Sequence, residues 1–406
     1  MSKLRRTTWN LFAGNQFTFG PGAVRALTGF IARHQSKRVL LVSDRTLESV
    51  GIVAQVTNAI LLTAAESRLF CDGEVEPTTS TVEKLVNVSH EYAPDLIVAV
   101  GGGSNMDLAK ALVAVLSSKV NVEKLFGFDQ VRASGTTLVC LPTTAGTGSE
   151  VTHSAVLKSS ETCKKAAILS QWIRPDAAIV DPNLALTCPP RVTAESGIDA
   201  LTHAIEAYLV TSFDQFDEDP RQGLAYEGNH PMTDLYAERA IRLVSSNLSR
   251  AVEDPEHLAS RSAMALAATL AGAAFSSSGV SLAHALEYPI GSAYRCSHGV
   301  GNGLVLPEVM RFWCIQRAAR LAKIASLLGV PDADRMPEKE SAVAAVEAVK
   351  ELRRTIGLPT CLSEIGGTAE DIDQLAETAM KLPRLLELSP VSPTLEDLKA
   401  ILKACL

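Results

Sequence analysis

Leu96–Ile97–Val98–Ala99–Val100–Gly101–Gly102–Gly103–Ser104–Asn105 is the stretch whose reading decides the fold. Its apolar run has no polar alternation, which is the pattern of a strand covered on both faces in a parallel sheet. Three glycines end the run, and apolar residues at helical spacing follow over residues 105–117. A strand, a glycine turn and a helix N-terminus in that order let backbone N–H groups approach a pyrophosphate. The same glycines suit a tight strand-to-helix turn with no ligand, and GGGS does not match the GxGxxG fingerprint. Both readings stand on this segment alone.

Further continuous apolar runs lie on either side, at residues 39–42, 137–141 and 177–180, with helical stretches such as residues 79–92 between them. The alternation predicts a doubly wound α/β domain with a parallel sheet over residues 1–187. From Pro190 the strand signal stops. Ile198, Leu201, Ile205 and Leu209, then Met264, Leu266, Leu270 and Ala274, recur at three and four, and residues 317–328, 341–355 and 368–381 continue in the same way. An all-helical domain over residues 188–406 is expected. Pro182, Pro189 and Pro190 mark the handover. Residues 208–231 interrupt the helices as a long loop.

Bulk properties agree with two globular domains. The chain has 406 residues, 47% hydrophobic and 20% charged, and one hydrophobic core stops growing at roughly 250–300 residues. A net charge of −7 from 38 basic and 45 acidic residues argues against a nucleic-acid partner. Eight cysteines without a CxxC pair fit a reducing compartment rather than a disulfide framework. Residues 1–12 carry Lys3, Arg5 and Arg6 with no apolar run behind them, unlike a signal peptide. The weakly polar stretch 263–279 includes three serines and reads as too short and too polar to span a bilayer. A cytoplasmic protein with no membrane partner is expected.

Two more segments bear on a dinucleotide. Asp44 ends the strand at 39–42, where a carboxylate accepts from ribose hydroxyls and repels a 2′-phosphate, favouring NAD over NADP. It is equally placed to cap the helix that follows. Pro142–Thr143–Thr144–Ala145–Gly146–Thr147–Gly148–Ser149–Glu150–Val151–Thr152 also follows a strand. Hydroxyls and glycines at that density, at the carboxyl edge of a sheet, suit a grip on ribose and phosphate more than a plain turn.

The helical half holds a candidate metal set. Asp199 and His203 are four apart, so on a helix they share a face. His284 and His298 follow in Leu282–Ala283–His284–Ala285–Leu286–Glu287–Tyr288–Pro289 and Tyr294–Arg295–Cys296–Ser297–His298–Gly299. One carboxylate and three imidazoles with an open position suit Fe2+ or Zn2+. A histidine on an apolar helix is more often a hydrogen-bonded core residue, so convergence of these segments is what decides between the two. His34, His90, His153, His230 and His257 lack such company and read as surface or structural.

Taken together, GGGSxxDxAK at 101–110, PTTAGTGSEVT at 142–152, DPxL at 181–184 and GxDAxxHxxE at 197–206 resemble the iron-containing alcohol dehydrogenase family over nearly the whole chain. The resemblance implies a dinucleotide-binding α/β domain, a helical domain and a cleft between them. It implies a metal held by Asp199, His203, His284 and His298. It also implies a nicotinamide dinucleotide contacting Asp44, Gly101, Gly102, Gly103, Ser104, Asp107, Thr143, Thr144, Thr147, Thr152, Lys165 and Leu184. A homodimer is the family expectation.

Two positions depart from the family pattern. Where most relatives read HxxxHP after the third ligand, with the second histidine assigned to proton relay, this chain has Tyr288. Glu76 stands where many relatives have Asn. These departures, with the 225–231 segment, look like the hydroxyacid–oxoacid transhydrogenase branch, which passes hydride between 4-hydroxybutyrate-type and 2-oxo acids.

The expected activity is hydride transfer between the nicotinamide and a small alcohol or aldehyde, with Tyr288 or a ribose–water chain carrying the proton. Arg295 lies three residues before His298; facing the substrate it would favour an anionic one, and solvated at the rim it would have no such role. A lyase resembling dehydroquinate synthase shares the architecture, but Asp199 and the 142–152 loop fit the dehydrogenases better. A non-catalytic scaffold does not account for four such residues kept together.

Overall fold

The computed structural model describes residues 5–11, 16–133, 135–162, 164–217 and 225–406. Part of the N-terminal stretch, Cys163, and residues 218–224 of the 208–231 loop lie outside the described residues. The chain forms two compact units, Phe12–Cys188 and a second made of Met1–Leu11 with Pro189–Leu406. The start of the chain therefore belongs with the helical half rather than with the α/β half.

In the first unit a six-stranded sheet runs in the spatial order Gln16–Phe19, Ala177–Val180, Thr137–Pro142, Leu96–Gly101, Arg38–Val42, Glu66–Phe70, with every neighbouring pair parallel. Successive residues feed opposite faces. Leu40, Val42, Ile97, Ala99, Leu138 and Cys140 enter one core, and Val39, Leu41, Leu96, Val98, Val100, Val139 and Leu141 the other. Burial on both faces is why these runs read as unbroken apolar sequence.

The two outer strands were not legible in the same way. Phe17 and Phe19 remain 47% and 37% exposed, and Glu66–Phe70 buries only its last residue fully. An edge strand needs one paired side and little core, so its sequence carries no continuous apolar run. A small second sheet joins Gly127–Phe128, Lys165–Leu169 and Ser154–Lys158.

The described part of the second unit from Pro190 onward is helical. Pro190–Leu209, Pro231–Glu253 and Leu258–Ser278 pack on one another, and Leu282–Tyr294 and His298–Phe312 complete the part that carries the site. Leu258–Ser278 is longer than the 263–279 stretch suggested. By length and composition it could cross a membrane, yet 61% of its apolar window is buried within the protein. The stretch 368–381 is not one helix but a short turn, Ala369–Asp371, followed by Ile372–Ala379.

Candidate active site

The helix Pro190–Leu209 presents Asp199 and His203 one turn apart on a buried face. His284 stands in the first turn of Leu282–Tyr294, and His298 opens His298–Phe312, whose N-cap Ser297 accepts from Val300 N. One donor atom from each of these four residues lies within 4.8 Å of the others. The imidazole of His203 stacks on that of His284 at 4.8 Å and on Phe275 at 4.4 Å. The rings of His284 and His298 meet edge-on at 5.1 Å. Asp199, His203 and His284 are buried, whereas the His298 side chain keeps 35% exposure, so the cluster is open on one side.

Glycine makes this approach possible. A Cβ on Gly299 would sit 1.8 Å from the Glu195 carbonyl oxygen, so only glycine lets the helix carrying His298 touch the backbone of the helix carrying Asp199. Gly303 meets Ile198 on the same contact. Gly301 leaves the space that the Glu287 side chain fills.

Two buried carboxylates fix the imidazoles from behind. His284 Nδ1 donates to Glu206 at 2.6 Å, and Glu206 also accepts from the backbone N–H groups of Ser281 and Ala283. His298 Nδ1 lies 2.6 Å from Glu287 Oε2. With the Nδ1 proton of His284 so committed, its Nε2 lone pair points inward. Nε2 of His298 faces the same point, while its Nδ1 makes an ion-pair contact with Glu287 that lacks hydrogen-bond geometry. There both Nε2 atoms meet Nδ2 of Asn302, 3.2 Å from each and 2.8 Å from Asp199 Oδ1. Three of the four donors thus converge on one point, where an amide N–H group offers them partial positive charge.

Burial pushes the Asp199 carboxyl upward in pKa, but the three imidazoles and Asn302 outweigh it and hold it below the usual carboxylate range. A borderline divalent cation fits this donor set of two carboxylate-backed imidazoles, a third imidazole and a charged carboxylate. The four residues singled out in the sequence as a candidate ligand set are the ones that gather here, and Glu287 and Asn302 were not singled out. The glycine-alternating run Gly299–Val300–Gly301–Asn302–Gly303 was the available signal.

The other candidates fall as follows. Tyr288 is half-buried one turn after His284, with its ring 6.5 Å from that of His298. Arg295 is exposed at a left-handed helix C-cap, φ 52°, and among the described residues no contact ties it to the cluster.

In the first unit, Gly101 has φ 148°, and a Cβ there would lie 2.2 Å from Asn105 Nδ2. Gly102 is the N-cap of Gly103–Ser118 and supplies no side-chain cap, so the first turn of that helix presents its N–H groups. Thr144 and Thr147 crowd Gly102 and Gly103. Thr143 is buried and its N–H donates to the Gly101 carbonyl. Ser104 donates to the Val75 carbonyl. Asp44 caps Arg45–Ser49 through Oδ1, at 3.0 Å from Leu47 N, while Oδ2 accepts from Asn105.

Asp107 holds protein rather than facing a ligand: its oxygens accept from Ser149 Oγ and Val156 N. Lys110, fully buried, ties the same loop by donating to Ser149 Oγ, Thr152 Oγ1 and the Ser154 carbonyl. Lys165 Nζ pairs with Glu76 at 3.0 Å. Leu184 is a core residue, 1% exposed.

Residues 14–182 match the model described as iron-containing alcohol dehydrogenase, and residues 222–406 match that described as Fe-containing alcohol dehydrogenase family, C-terminal. The chain is 32% identical over 397 residues to the NAD-dependent methanol dehydrogenase of Bacillus methanolicus, covering 98% of this chain and 100% of that protein.

This chain belongs to the iron-containing alcohol dehydrogenase family.

As a member of that family it is an oxidoreductase. A solved 1,3-propanediol oxidoreductase superposes with a TM-score of 0.92 at 30% identity, covering 98% of this chain and 100% of that one. The mitochondrial hydroxyacid–oxoacid transhydrogenase of Xenopus laevis is 29% identical over 424 residues, covering 98% of this chain and 91% of that protein. Within this iron-containing alcohol dehydrogenase the two departures from the family pattern, Tyr288 and Glu76, are both at described positions.

Proposed function

We propose that this iron-type dehydrogenase uses NAD in preference to NADP and Fe2+ in preference to Zn2+ to interconvert a small alcohol and its aldehyde. The observation that carries the reading is the gathering of Asp199, His203, His284 and His298 donor atoms within 4.8 Å. The bound cation supplies Lewis-acid polarisation of the substrate oxygen and the nicotinamide supplies or takes the hydride. Asp199 and the three imidazoles hold the cation. Glu206 keeps His284 in the tautomer whose Nε2 faces it, and Glu287 stands 2.6 Å behind His298 Nδ1 as a counter-charge. The half-exposed face of His298 leaves substrate a way to the cluster. Tyr288, one turn from His284, is the candidate group to pass the substrate proton toward water.

For the dinucleotide, the Gly101–Gly103 turn and the uncapped helix start suit the pyrophosphate, and the threonines of residues 143–152 suit the ribose and phosphates. Asp107 and Lys110 act behind that loop by holding it in shape. Asp44 keeps one carboxylate edge beside the strand end, which disfavours a 2′-phosphate. The protein is proposed to act in the cytoplasm as a homodimer.

A second reading, transhydrogenation between a hydroxy acid and an oxo acid, is favoured by Tyr288 in place of the relay histidine and by the relative named above.

Anaerobic purification, metal analysis and a screen of NADH against NADPH with short aldehydes test the proposal. Stoichiometric iron and faster turnover with NADH are expected. Reduction of no aldehyde by metal-loaded enzyme would remove the reading. Turnover only when an oxo acid accompanies a hydroxy acid, without free dinucleotide, would select the second one.

A further inference from the structure

The short helix Pro383–Leu386 packs against Leu282–Tyr294, the helix that carries His284 and Tyr288. From it Arg384 reaches Tyr226, donating from Nη1 to the phenol oxygen at 3.3 Å with its guanidinium 5.7 Å from the centre of the same ring. Arg384 also interacts electrostatically with Tyr288. Tyr226 is itself buried and wedged against Gly279, where a Cβ would fall 2.8 Å from its ring. Tyr288 links this guanidinium to the metal-ligand set, its ring standing 6.5 Å from that of His298.

The partners of Arg384 set it apart from the other arginines withdrawn from water. Arg317 donates to the Leu209 and Val210 carbonyls, and Arg353 to those of Gly303, Leu304 and Thr360. Arg320 makes a two-pronged pair with Asp234. Each of these guanidiniums donates to carbonyl or carboxylate oxygens, although Arg353 Nε has no acceptor. Arg384 is met by two neutral phenols, and among the described residues no carboxylate pairs with it. A guanidinium presents five N–H donors in a planar fork that matches an oxyanion in two-point fashion. Phenol oxygens are weaker acceptors than carboxylates, and the half-buried guanidinium keeps part of its fork open to a ligand.

We propose that Arg384, positioned by Tyr226 and Tyr288, forms an oxyanion subsite beside the Asp199, His203, His284 and His298 cluster that binds the charged end of the substrate. The substrates selected by this site are short aldehydes, or the matching alcohols, that carry a carboxylate or phosphonate at the far end. The subsite rests on the aldehyde–alcohol reading above, and it gives the charge-selecting role to Arg384 rather than to the exposed Arg295.

The test is reduction by the metal-loaded enzyme with NADH of three aldehydes of like length: succinic semialdehyde, its neutral methyl ester, and the corresponding phosphonate. Wild-type enzyme is expected to favour the charged aldehydes over the ester at least tenfold in kcat/KM, the better of the two anions identifying the natural headgroup. Arg384→Met is expected to lower the charged-to-neutral ratio roughly 100-fold, through KM more than kcat, and Arg384→Lys to restore part of it.

A binding measurement keeps the test open should Arg384→Met not fold. Succinate is expected to compete with the aldehyde on wild-type enzyme with an inhibition constant at least tenfold below that of succinamide. Equal inhibition by the two, or equal use of ester and anion, or a ratio unmoved by Arg384→Met, overturns the subsite and leaves the dehydrogenase reading standing. Reduction of none of the three aldehydes nor of any neutral one overturns that reading instead.

Discussion

His298 Nδ1 lies 2.6 Å from Glu287 Oε2, and Glu287 has no exposed surface. A buried carboxylate behind a metal-binding imidazole sets its tautomer and raises its basicity. The space for that carboxylate depends on Gly291 and Gly301, where a Cβ would come within 2.5 Å of Oε1 and 2.8 Å of Cγ of Glu287. Glu287→Gln is therefore predicted to weaken cation affinity about 10- to 100-fold, the range typical of such outer partners. Competition with a chelator, followed by metal analysis, reads the change directly. Retention of iron equal to wild type would show that His298 needs no such support.

Gly299 governs whether the ligand-bearing helices can meet at all. Its Cβ would fall 1.8 Å from the Glu195 carbonyl oxygen and 2.7 Å from its carbonyl carbon, both backbone atoms with no rotamer to change. Gly299→Ala is predicted to push the two helices apart, to cost at least about 1–3 kcal/mol as overpacking does, and to lose the cation. Gly29→Ala is the control: its helix position meets only the end of the Arg33 side chain, at 3.6 Å. There the exchange is expected to stabilise by roughly 0.5–1 kcal/mol through helix propensity. Thermal unfolding and metal content together check the pair. An iron-replete, fully stable Gly299→Ala protein would refute the packing argument.

These glycines also mark where sequence reading stops. The Asp199–His203 pair was legible because four-residue spacing on a helix is a local fact. The convergence of His284 and His298 on that pair is tertiary, and only the family resemblance stood in for it. Glu287 and Asn302 carried no periodic signal, since their roles depend on which helix packs across from them. The central strands were legible because both their faces are buried, and Gln16–Phe19 was not because, among the described residues, one of its edges has no strand beside it. Arg384 escaped for a further reason. An arginine in a short helix resembles any surface arginine until its neighbours prove to be phenols.

Lys110 provides a separate prediction in the α/β unit. Its ammonium is fully buried, and burial pulls its pKa below the ordinary lysine value even though Asp107 pulls it back. It nonetheless donates to Ser149 Oγ at 2.7 Å, Thr152 Oγ1 at 3.0 Å and the Ser154 carbonyl at 2.9 Å. Lys110→Met removes all three donors and leaves the half-buried Asp107 without the ammonium 3.9 Å away. A loss of about 3–5 kcal/mol is expected, as for breaking a buried charged network. The KM for NADH should rise with it, because the loop of residues 143–152 loses its anchor. Urea denaturation and dinucleotide titration test the two effects, and a stable variant with unchanged dinucleotide affinity would contradict both.

Glu76 yields a prediction whose sign depends on pH. Burial pushes its carboxyl up, but Lys165 at 3.0 Å and Lys158 at 3.6 Å outweigh burial and hold the pKa below the ordinary value. A carboxylate whose folded pKa is depressed stabilises the fold above its unfolded pKa, near 4.3, and that contribution disappears as pH falls through the folded value. The side chain is 47% exposed, so solvent screening limits the contribution to less than about 1 kcal/mol. Glu76→Gln should accordingly destabilise slightly at pH 7, and the difference from wild type should shrink as pH falls below the unfolded value. The same change releases Lys165 from its carboxylate partner, which raises the positive potential where a dinucleotide phosphate is proposed to bind. Tighter NADH binding by Glu76→Gln, weakening with added salt, is the expected result. A variant that binds NADH no better than wild type at low ionic strength would place Lys165 outside the dinucleotide site and leave its pairing with Glu76 as a purely structural contact.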